Sequence, residues 1–409
     1  MESVDMMKKI LLSPWLALFT FALLLTFKLQ DPYLVEATRL KFYDYIMLDK
    51  AKQSEQIVVI NLGEKAIEKY GQWPFPREVH AEIIGDIYGR GAALVGSTVL
   101  MPEPDRMGTD GVLSDTLKQY PVVLSQTLVE DCPKDIRPPR RTGIAVVGDG
   151  QPTDFLPNYP CVLDNIPELQ ESAVGVGITS SLPETDGVTR RVPLLGISNG
   201  EYYPAFSLEL LRVAAGDPSY QAKINQTGVE ALRVPQFGTI NTDEYGRVFI
   251  NPNYVFPSVE VGGDIPRLDG KIVILGVTAK GLANPIATPS GGQTPPQVQA
   301  SLLETLIKGD SVSIPNWVAL ADLAAFVVLS LLIIILSRVR YSIVWIGILL
   351  VGYAYAPIYL FTHNKILFDI SFNILAALVI YLHIYTVKFI SEYLQKQQIK
   401  KQFGTYLSP

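Results

Sequence analysis

Four long apolar runs, one at the start of the chain and three near its end, constrain this sequence more than any other feature. The first covers Ile10–Phe27, and the others cover Trp317–Leu336, Ile343–Phe361 and Ile366–Val387. Roughly 18 to 20 continuous apolar residues are needed to cross the hydrocarbon core of a bilayer as a helix. Each run therefore predicts a transmembrane helix. The polar, turn-rich region between the first run and the others predicts one large soluble domain, a layout that is typical of membrane receptors.

The apolar runs divide the 409 residues into seven segments. We expect a cytoplasmic N-terminus, one transmembrane helix, a large domain, three more transmembrane helices and a cytoplasmic helical linker. Their boundaries, in order, are 1–9, 10–29, 30–315, 316–336, 342–361, 366–387 and 388–409. The first run could instead be a cleaved signal peptide. It is longer than a typical signal-peptide core and no clear cleavage site follows it, so the prediction is an uncleaved anchor.

Basic residues beside the apolar runs predict the orientation, because such residues stay in the cytoplasm. Lysines precede the first run and follow the last, and arginines fill the loop after the second. The residues concerned are Lys8, Lys9, Arg338, Arg340, Lys388, Lys396, Lys400 and Lys401. Both termini are therefore predicted to be cytoplasmic and the large domain extracytoplasmic.

The charge and the histidine content argue against two classes of function. A net charge of −6 disfavours nucleic-acid binding, which usually needs a strongly basic domain. The three histidines are widely separated, whereas the ligands of a zinc site are clustered. His80 lies on a predicted helix, where we expect a surface or half-buried position.

The two cysteines, Cys132 and Cys161, both lie in loop-like sequence of the predicted extracytoplasmic domain. An oxidising compartment permits a disulfide there. Pairing would stabilise the domain by about 3 kcal/mol in the chain-entropy model. We predict that the two cysteines pair, and two free thiols remain the alternative.

The large domain alternates short β-branched runs with helical stretches. The predicted strands are Ile57–Asn61, Ala92–Thr98, Val122–Gln126, Ile144–Val147, Val174–Thr179 and Lys271–Val277. The predicted helices are Arg77–Tyr88, Gly111–Tyr120, Ala205–Ala215 and Gln297–Ile307. Many of the strands are continuously apolar, as expected of strands that are covered on both faces. This alternation predicts an α/β sandwich with a largely parallel sheet.

One motif, Gly196–Gly200, matches the G-x-S-x-G pattern of a hydrolase nucleophile elbow. The elbow requires a helix directly after the serine. Here Ser198 is followed by Asn199–Gly200, a strong signal for a hairpin turn. A membrane-tethered hydrolase is therefore disfavoured.

Two carboxylates, Asp322 and Asp369, lie near the ends of the second and fourth apolar runs. Carboxylates inside a membrane are functional candidates by default. Near an interface they can instead reach the headgroups or cap a helix, and this is the prediction for both.

Five segments of the large domain resemble the CHASE type-two family of extracellular sensors (cyclase- and histidine-kinase-associated sensory extracellular). The closest resemblance is in Asp186–Pro193, which is similar to the family's D-G-V-x-R-R-x-P signature. The other segments are Arg39–Asp44, Ile57–Ile60 with the Trp73–Arg77 turn, Glu103–Asp105 with Asp110, and Lys271–Gly281 with Thr288–Pro289. The layout of one span before the sensor and three after it is also that of the family. The resemblance implies a multi-pass receptor of the plasma (bacterial inner) membrane.

The resemblance implies four candidate ligand-binding residues, Trp73, Arg77, Asp186 and Arg190. The alternative for each is structural: Trp73 shapes a turn, and Asp186 forms a local ion pair with an arginine. The sequence departs from the family's acidic positions at Gly63, Thr98 and Asn284. A family ligand site that depends on those acids is therefore in doubt here.

The tail, Phe403–Pro409, resembles the linker that enters the catalytic domain of class III nucleotidyl cyclases. The resemblance implies that a stimulus, whose identity the sequence does not give, controls an adenylate or guanylate cyclase domain. That domain would use ATP and Mg²⁺, and its site would form between two copies of the protein, which implies a homodimer. The chain itself contains no catalytic residues and implies no cofactor. A kinase output on the same sensor, or a stand-alone membrane binding protein, remains an alternative.

Overall fold

The computed structural model describes residues 16–132, 143–315 and 317–406. The chain forms two compact units. The first, here called the α/β unit, is Met47–Ser313. The second, here called the helical unit, is made by the described residues of Met1–Ile46 and Ile314–Pro409.

The described helices are numbered in chain order. They are α1 (Leu16–Gln30), α2 (Tyr33–Met47), α3 (Glu64–Tyr70), α4 (Arg77–Gly89), α5 (Asp110–Gln119), α6 (Pro167–Ser172), α7 (Phe206–Ala215), α8 (Pro295–Lys308), α9 (Trp317–Leu336), α10 (Ser342–Asn364) and α11 (Ser371–Tyr406).

The described strands all belong to the α/β unit. They are β1 (Lys52–Gln53), β2 (Ile57–Leu62), β3 (Leu94–Ser97), β4 (Val122–Val129), β5 (Ile144–Val147), β6 (Asn158–Tyr159), β7 (Cys161–Leu163), β8 (Gly175–Ile178), β9 (Arg191–Pro193), β10 (Leu195–Ser198), β11 (Glu201–Pro204), β12 (Tyr220–Asn225), β13 (Gly228–Val234), β14 (Gly238–Asn241), β15 (Arg247–Phe249), β16 (Tyr254–Val255), β17 (Ser258–Glu260), β18 (Ile272–Val277), β19 (Ile286–Thr288) and β20 (Gly291–Gln293).

A seven-stranded sheet with helices on both faces forms the core of the α/β unit. Its order is β17-β2-β18-β3-β4, and β4 also pairs with β7 and β8. Side chains alternate along β2, so that Ile57 and Val59 join one apolar cluster and Val58 and Ile60 join the other. Helices α7 and α8 complete the first cluster, and α3 to α6 complete the second. The continuously apolar strands are explained by this burial on both faces.

The strand pairing is mixed, so the expectation of a largely parallel sheet is wrong for the unit as a whole. In the central sheet β7 pairs antiparallel with β4. A separate four-stranded sheet, β14-β13-β12-β5, is antiparallel except where β5 meets β12. Hairpins need only short connections, and the short turns that join β12, β13 and β14 therefore pair these strands antiparallel. The α/β sandwich itself is present, and all six predicted strands and four predicted helices occur.

The helical unit contains three helices that are long and apolar enough to cross a membrane, Trp317–Leu336, Ser342–Asn364 and Ser371–Gln397. The predicted first span is not a straight helix of sufficient length among the described residues. Helix α1 is followed by α2 at a bend of 75°, and only as a pair do the two helices pass the same test. The start of the predicted span, residues 10–15, lies outside the described residues.

Candidate functional site

The Trp73–Arg77 turn is held together by contacts within the α/β unit. Trp73 packs edge-on against Phe75 and His80, with ring centroids 5.1 and 5.8 Å away. Arg77 starts α4 and is 8% exposed. Its guanidinium donates to the carbonyl of Glu103 at 2.9 Å, and its Nε lies 3.4 Å from Oδ1 of Asp110.

Asp105 joins this turn to the acidic loop that follows β3. Its Oδ2 accepts hydrogen bonds from the backbone N–H of Arg77 at 3.2 Å and of Thr109 at 3.1 Å. The Thr109 hydroxyl donates to the same oxygen. Partial desolvation by itself would raise the pKa of Asp105, but these donors outweigh it and lower the pKa to about 2. The carboxylate therefore stays charged and satisfies one of the free N–H groups at the start of α4, that of Arg77.

His80 is only 1% exposed, which corrects the expected surface or half-buried position. Burial, reinforced by the positive charge of Arg77, lowers the pKa of the imidazole to about 3. The ring is therefore neutral and packs against Trp73 and Phe75. Neither ring nitrogen has a hydrogen-bond partner among the described residues.

The D-G-V-x-R-R-x-P segment forms a turn, a buried ion pair and a strand. Two parallel hydrogen bonds of 2.8 Å join the Arg190 guanidinium to Asp186. The Arg190 side chain is 0% exposed and that of Asp186 is 8% exposed. Gly187 has φ 79°, a value that favours glycine. Next to this pair, Arg191 binds Glu184 at 2.5 Å and Asp243 at 3.2 Å.

The four candidate ligand-binding residues thus fall into two clusters, Trp73 with Arg77 and Asp186 with Arg190. No described contact joins one cluster to the other. In both, the charged side chains contact neighbouring protein groups, which favours the structural alternative for Arg77, Asp186 and Arg190. Contact of these residues with a ligand stays a prediction. Among the described residues no group of three histidine, cysteine or acidic side chains is placed to hold a metal ion.

At Gly63, one of the departures from the family pattern, a carboxylate from elsewhere in the chain fills the space. An ideal Cβ at Gly63 would lie 2.3 Å from Oε1 of Glu260 at the end of β17. That oxygen accepts the backbone N–H of Lys65 at 2.8 Å. An acid is therefore present at this carboxyl edge of the sheet, but it comes from the neighbouring strand. Glu260 is far from Gly63 in sequence, so a comparison of short motifs does not find it.

The other two departures differ from Gly63. The Thr98 hydroxyl donates to the carbonyl of Leu275 in β18 at 3.2 Å, so its role is local. Asn284 is exposed.

Cys132 and Cys161 are joined as a disulfide, with their Cα atoms 5.4 Å apart. Cys161 is buried at the start of β7, the antiparallel strand that pairs with β4. The bridge therefore ties the segment after β4 to the edge of the central sheet.

A cluster at the ends of the α/β unit, here called the base cluster, joins the segments through which the chain enters and leaves. Asn253 accepts the N–H of Asp49 and donates to the carbonyl of Met47, both at 2.7 Å. On the exit side, Asp310 accepts the Tyr254 hydroxyl at 2.6 Å and lies 3.4 Å from Nζ of Lys52. Burial, assisted by the bond to Asp310, raises the pKa of Tyr254, so the phenol remains a donor.

A polar network connects the helices inside the helical unit. Nζ of Lys28 in α1 lies 2.7 Å from Oδ2 of Asp322 in α9 and 2.9 Å from Oδ1 of Asn373 in α11. The Asn373 amide donates to Asp322 at 2.8 Å and to the Tyr353 hydroxyl of α10 at 2.6 Å. Asp322 is thus paired within the bundle, which corrects the expectation that it only reaches the headgroups. The other carboxylate, Asp369, accepts the Ser371 N–H at 2.8 Å and caps α11.

The structure of the G-x-S-x-G segment agrees with the disfavoured hydrolase interpretation. Ser198 ends β10 and is 1% exposed. Asn199 and Gly200 have φ 50° and 77° and turn the chain into β11, which pairs antiparallel with β10. A strand therefore follows the serine where an elbow needs a helix.

An α/β unit followed along the chain by three helices of membrane-crossing length is the architecture of a membrane sensor. The CHASE2 domain family matches residues 16–336, so the chain belongs to this family. The resemblance of the large domain to this family is thereby confirmed. Neither a curated protein nor a solved structure matches the chain.

Proposed function

We propose that this chain is the sensor and membrane part of a receptor with a cytoplasmic nucleotidyl cyclase output. The α/β unit detects an extracytoplasmic stimulus, and the helices transmit the resulting change. The observation that carries the proposal is the base cluster, because Asn253 contacts the entry segment while its neighbour Tyr254 holds Asp310 on the exit side. A rearrangement of β16 would shift both chain ends of the sensor together.

Helix α11 supplies a continuous path from the membrane towards the output. It contains 36 residues. At 1.5 Å per residue such a helix is about 54 Å long, whereas the hydrocarbon core is about 30 Å thick. Its last turns therefore extend beyond the membrane, where the resemblance of Phe403–Pro409 implies a cyclase domain. ATP, Mg²⁺ and a homodimer belong to this proposal, because class III sites form between two such domains.

The proposal is tested by fusing a class III cyclase domain after Pro409 and expressing the fusion in cells that lack a cyclase. We expect cyclic nucleotide to accumulate and its level to respond when the sensor is perturbed. The perturbation is Asn253→Ala, in the base cluster. The matched control is Asn225→Ala, the same type of change in an outer turn of the α/β unit. A second measurement uses the domain that naturally follows Pro409. If that domain catalyses phosphotransfer and makes no cyclic nucleotide, the cyclase output is refuted and the kinase alternative is favoured.

A further inference from the structure

The helical unit contains a cavity of about 400 Å³ between α1, α9 and α11. Its described lining includes Ala17 of α1, Ile334 near the end of α9 and Ile384 of α11. A volume of this size lies within the range of small-molecule sites, which is about 300–1,000 Å³. The candidate ligand-binding residues of the α/β unit do not line it.

Two cations line one end of the cavity. Arg338 lies two residues beyond the end of α9, and Lys388 directly follows the last apolar run. Neither forms an ion pair within the described part of the chain, although the cavity lining also includes Glu392. Two cations and one carboxylate leave a net positive charge at this end. The Ser391 hydroxyl lies in the same lining and can donate a hydrogen bond.

An apolar wall lies towards the helix centres and is formed by Ile334, Ile384 and Val387, although the lining also includes the polar side chains of Ser337, His383 and Gln395. A free inorganic anion would gain nothing from this wall. A molecule with an anionic group next to a hydrocarbon chain would satisfy both ends, because hydrocarbon burial is favourable and basic residues between transmembrane helices attract anionic headgroups. The cations lie where α9 ends and where the fourth apolar run ends, which is the level of the headgroups.

We propose that this cavity binds one anionic phospholipid of the surrounding leaflet. Its phosphate contacts Arg338 and Lys388, and one acyl chain lies along Ile334 and Ile384. A bound lipid would join α9 to α11, the helix that leads towards the output, so that lipid composition would influence the position of α11. The binding step requires only that these helices span a bilayer and does not depend on the cyclase output.

The test uses the full chain in mixed micelles and counts bound lipids by native mass spectrometry. Phosphatidylglycerol and phosphatidylcholine with identical acyl chains are titrated against the natural protein and two double variants. The first variant, R338Q/K388Q, removes both cavity cations. The matched control, R340Q/K396Q, removes two cations from the same loop and the same helix that do not line the cavity.

We expect one phosphatidylglycerol to bind with at least tenfold preference over phosphatidylcholine. R338Q/K388Q should lose at least tenfold in affinity, R340Q/K396Q should stay within twofold, and Lys388→Arg should retain binding. Equal losses in both double variants would mean general attraction to the surface and would overturn the proposal. Equal binding of the two lipids, or displacement of phosphatidylglycerol by millimolar inorganic phosphate, would also overturn it.

Discussion

At the scale of single residues, the charged groups of the α/β unit are distinguished by how completely the protein satisfies them. Arg190 is fully buried and makes two hydrogen bonds to Asp186. His80 is equally buried but neutral. A charge that leaves water is tolerated only with a partner, whereas a neutral ring can pack among aromatic side chains. The two residues should therefore respond differently to substitution and to pH.

Arg190→Ala should destabilise the α/β unit by about 3–5 kcal/mol, because it leaves the buried Asp186 without its cation. The measurement is urea unfolding of the α/β unit in the full chain, followed by pulse proteolysis. Arg233→Ala removes an exposed arginine and should change the unfolding free energy by less than about 0.5 kcal/mol. Equal effects of the two substitutions would show that the buried pair has no structural role.

His80 should make the α/β unit less stable as the pH falls below about 6.5, the pKa of an unperturbed histidine. The pKa of the folded imidazole is about 3. Between these values the unfolded chain binds a proton that the folded chain does not, so unfolding is favoured by at most about 1.4 kcal/mol per pH unit. The negative charge of Asp105 is lost only at lower pH, because the pKa of its carboxyl group in the folded state is about 2.

The measurement is the unfolding free energy of the α/β unit between pH 7 and 5. His80→Leu should flatten the dependence over this interval relative to the natural protein. His363→Leu, at the end of α10, is the matched control and should leave the slope unchanged. An unchanged slope in His80→Leu would contradict the assignment.

At the scale of elements, the strands and helices predicted for the α/β unit all occur, whereas others, such as β12 and β13, and the arrangement of the sheets are not predicted. The continuously apolar run of β2 and the long apolar runs of the helical unit depend on neighbours in the chain, so the sequence shows them directly. The order β17-β2-β18-β3-β4 depends on contacts between distant segments. The same holds for Asp322, whose partner Lys28 precedes it by 294 residues.

The Lys28–Asp322 pair should hold α1 against α9. Lys28→Met removes one partner and leaves a carboxylate without its cation, so the melting temperature of the full chain in micelles should fall. Lys28→Met with Asp322→Leu removes both charges and should recover most of the loss, because two apolar groups need no pairing. Lys396→Met, an exposed change in α11, serves as the control. A double variant no more stable than Lys28→Met would contradict the pairing.

At the scale of the whole molecule, the α/β unit holds the two ends of its own chain through adjacent residues. Residues 47–53 and 310–313 are far apart in sequence, yet two adjacent residues hold them. Asn253 contacts the first segment, and Tyr254 contacts Asp310 in the second. In the proposed receptor, this is the place where a change of the sensor core would reach both ends.

Asn253→Ala should loosen the entry segment, because the carbonyl of Met47 and the N–H of Asp49 lose their partners. Hydrogen–deuterium exchange of the full chain should become faster in residues 47–54 and stay unchanged in β18. Asn225→Ala removes an amide from the turn between β12 and β13 and should leave residues 47–54 unaffected. Faster exchange throughout the central sheet would instead indicate general destabilisation.

The sequence by itself determined the α/β sensor, its family and the helices of membrane-crossing length, because these follow from local periodicity and short motifs. Only the tertiary structure decided which charges meet. It paired Lys28 with Asp322 and placed the Glu260 carboxylate beside Gly63. It also showed that α1, which contains most of the first apolar run, is followed by α2 at a bend of 75°. The physical reason is that burial and pairing energies depend on residues that the folded chain brings together from distant positions.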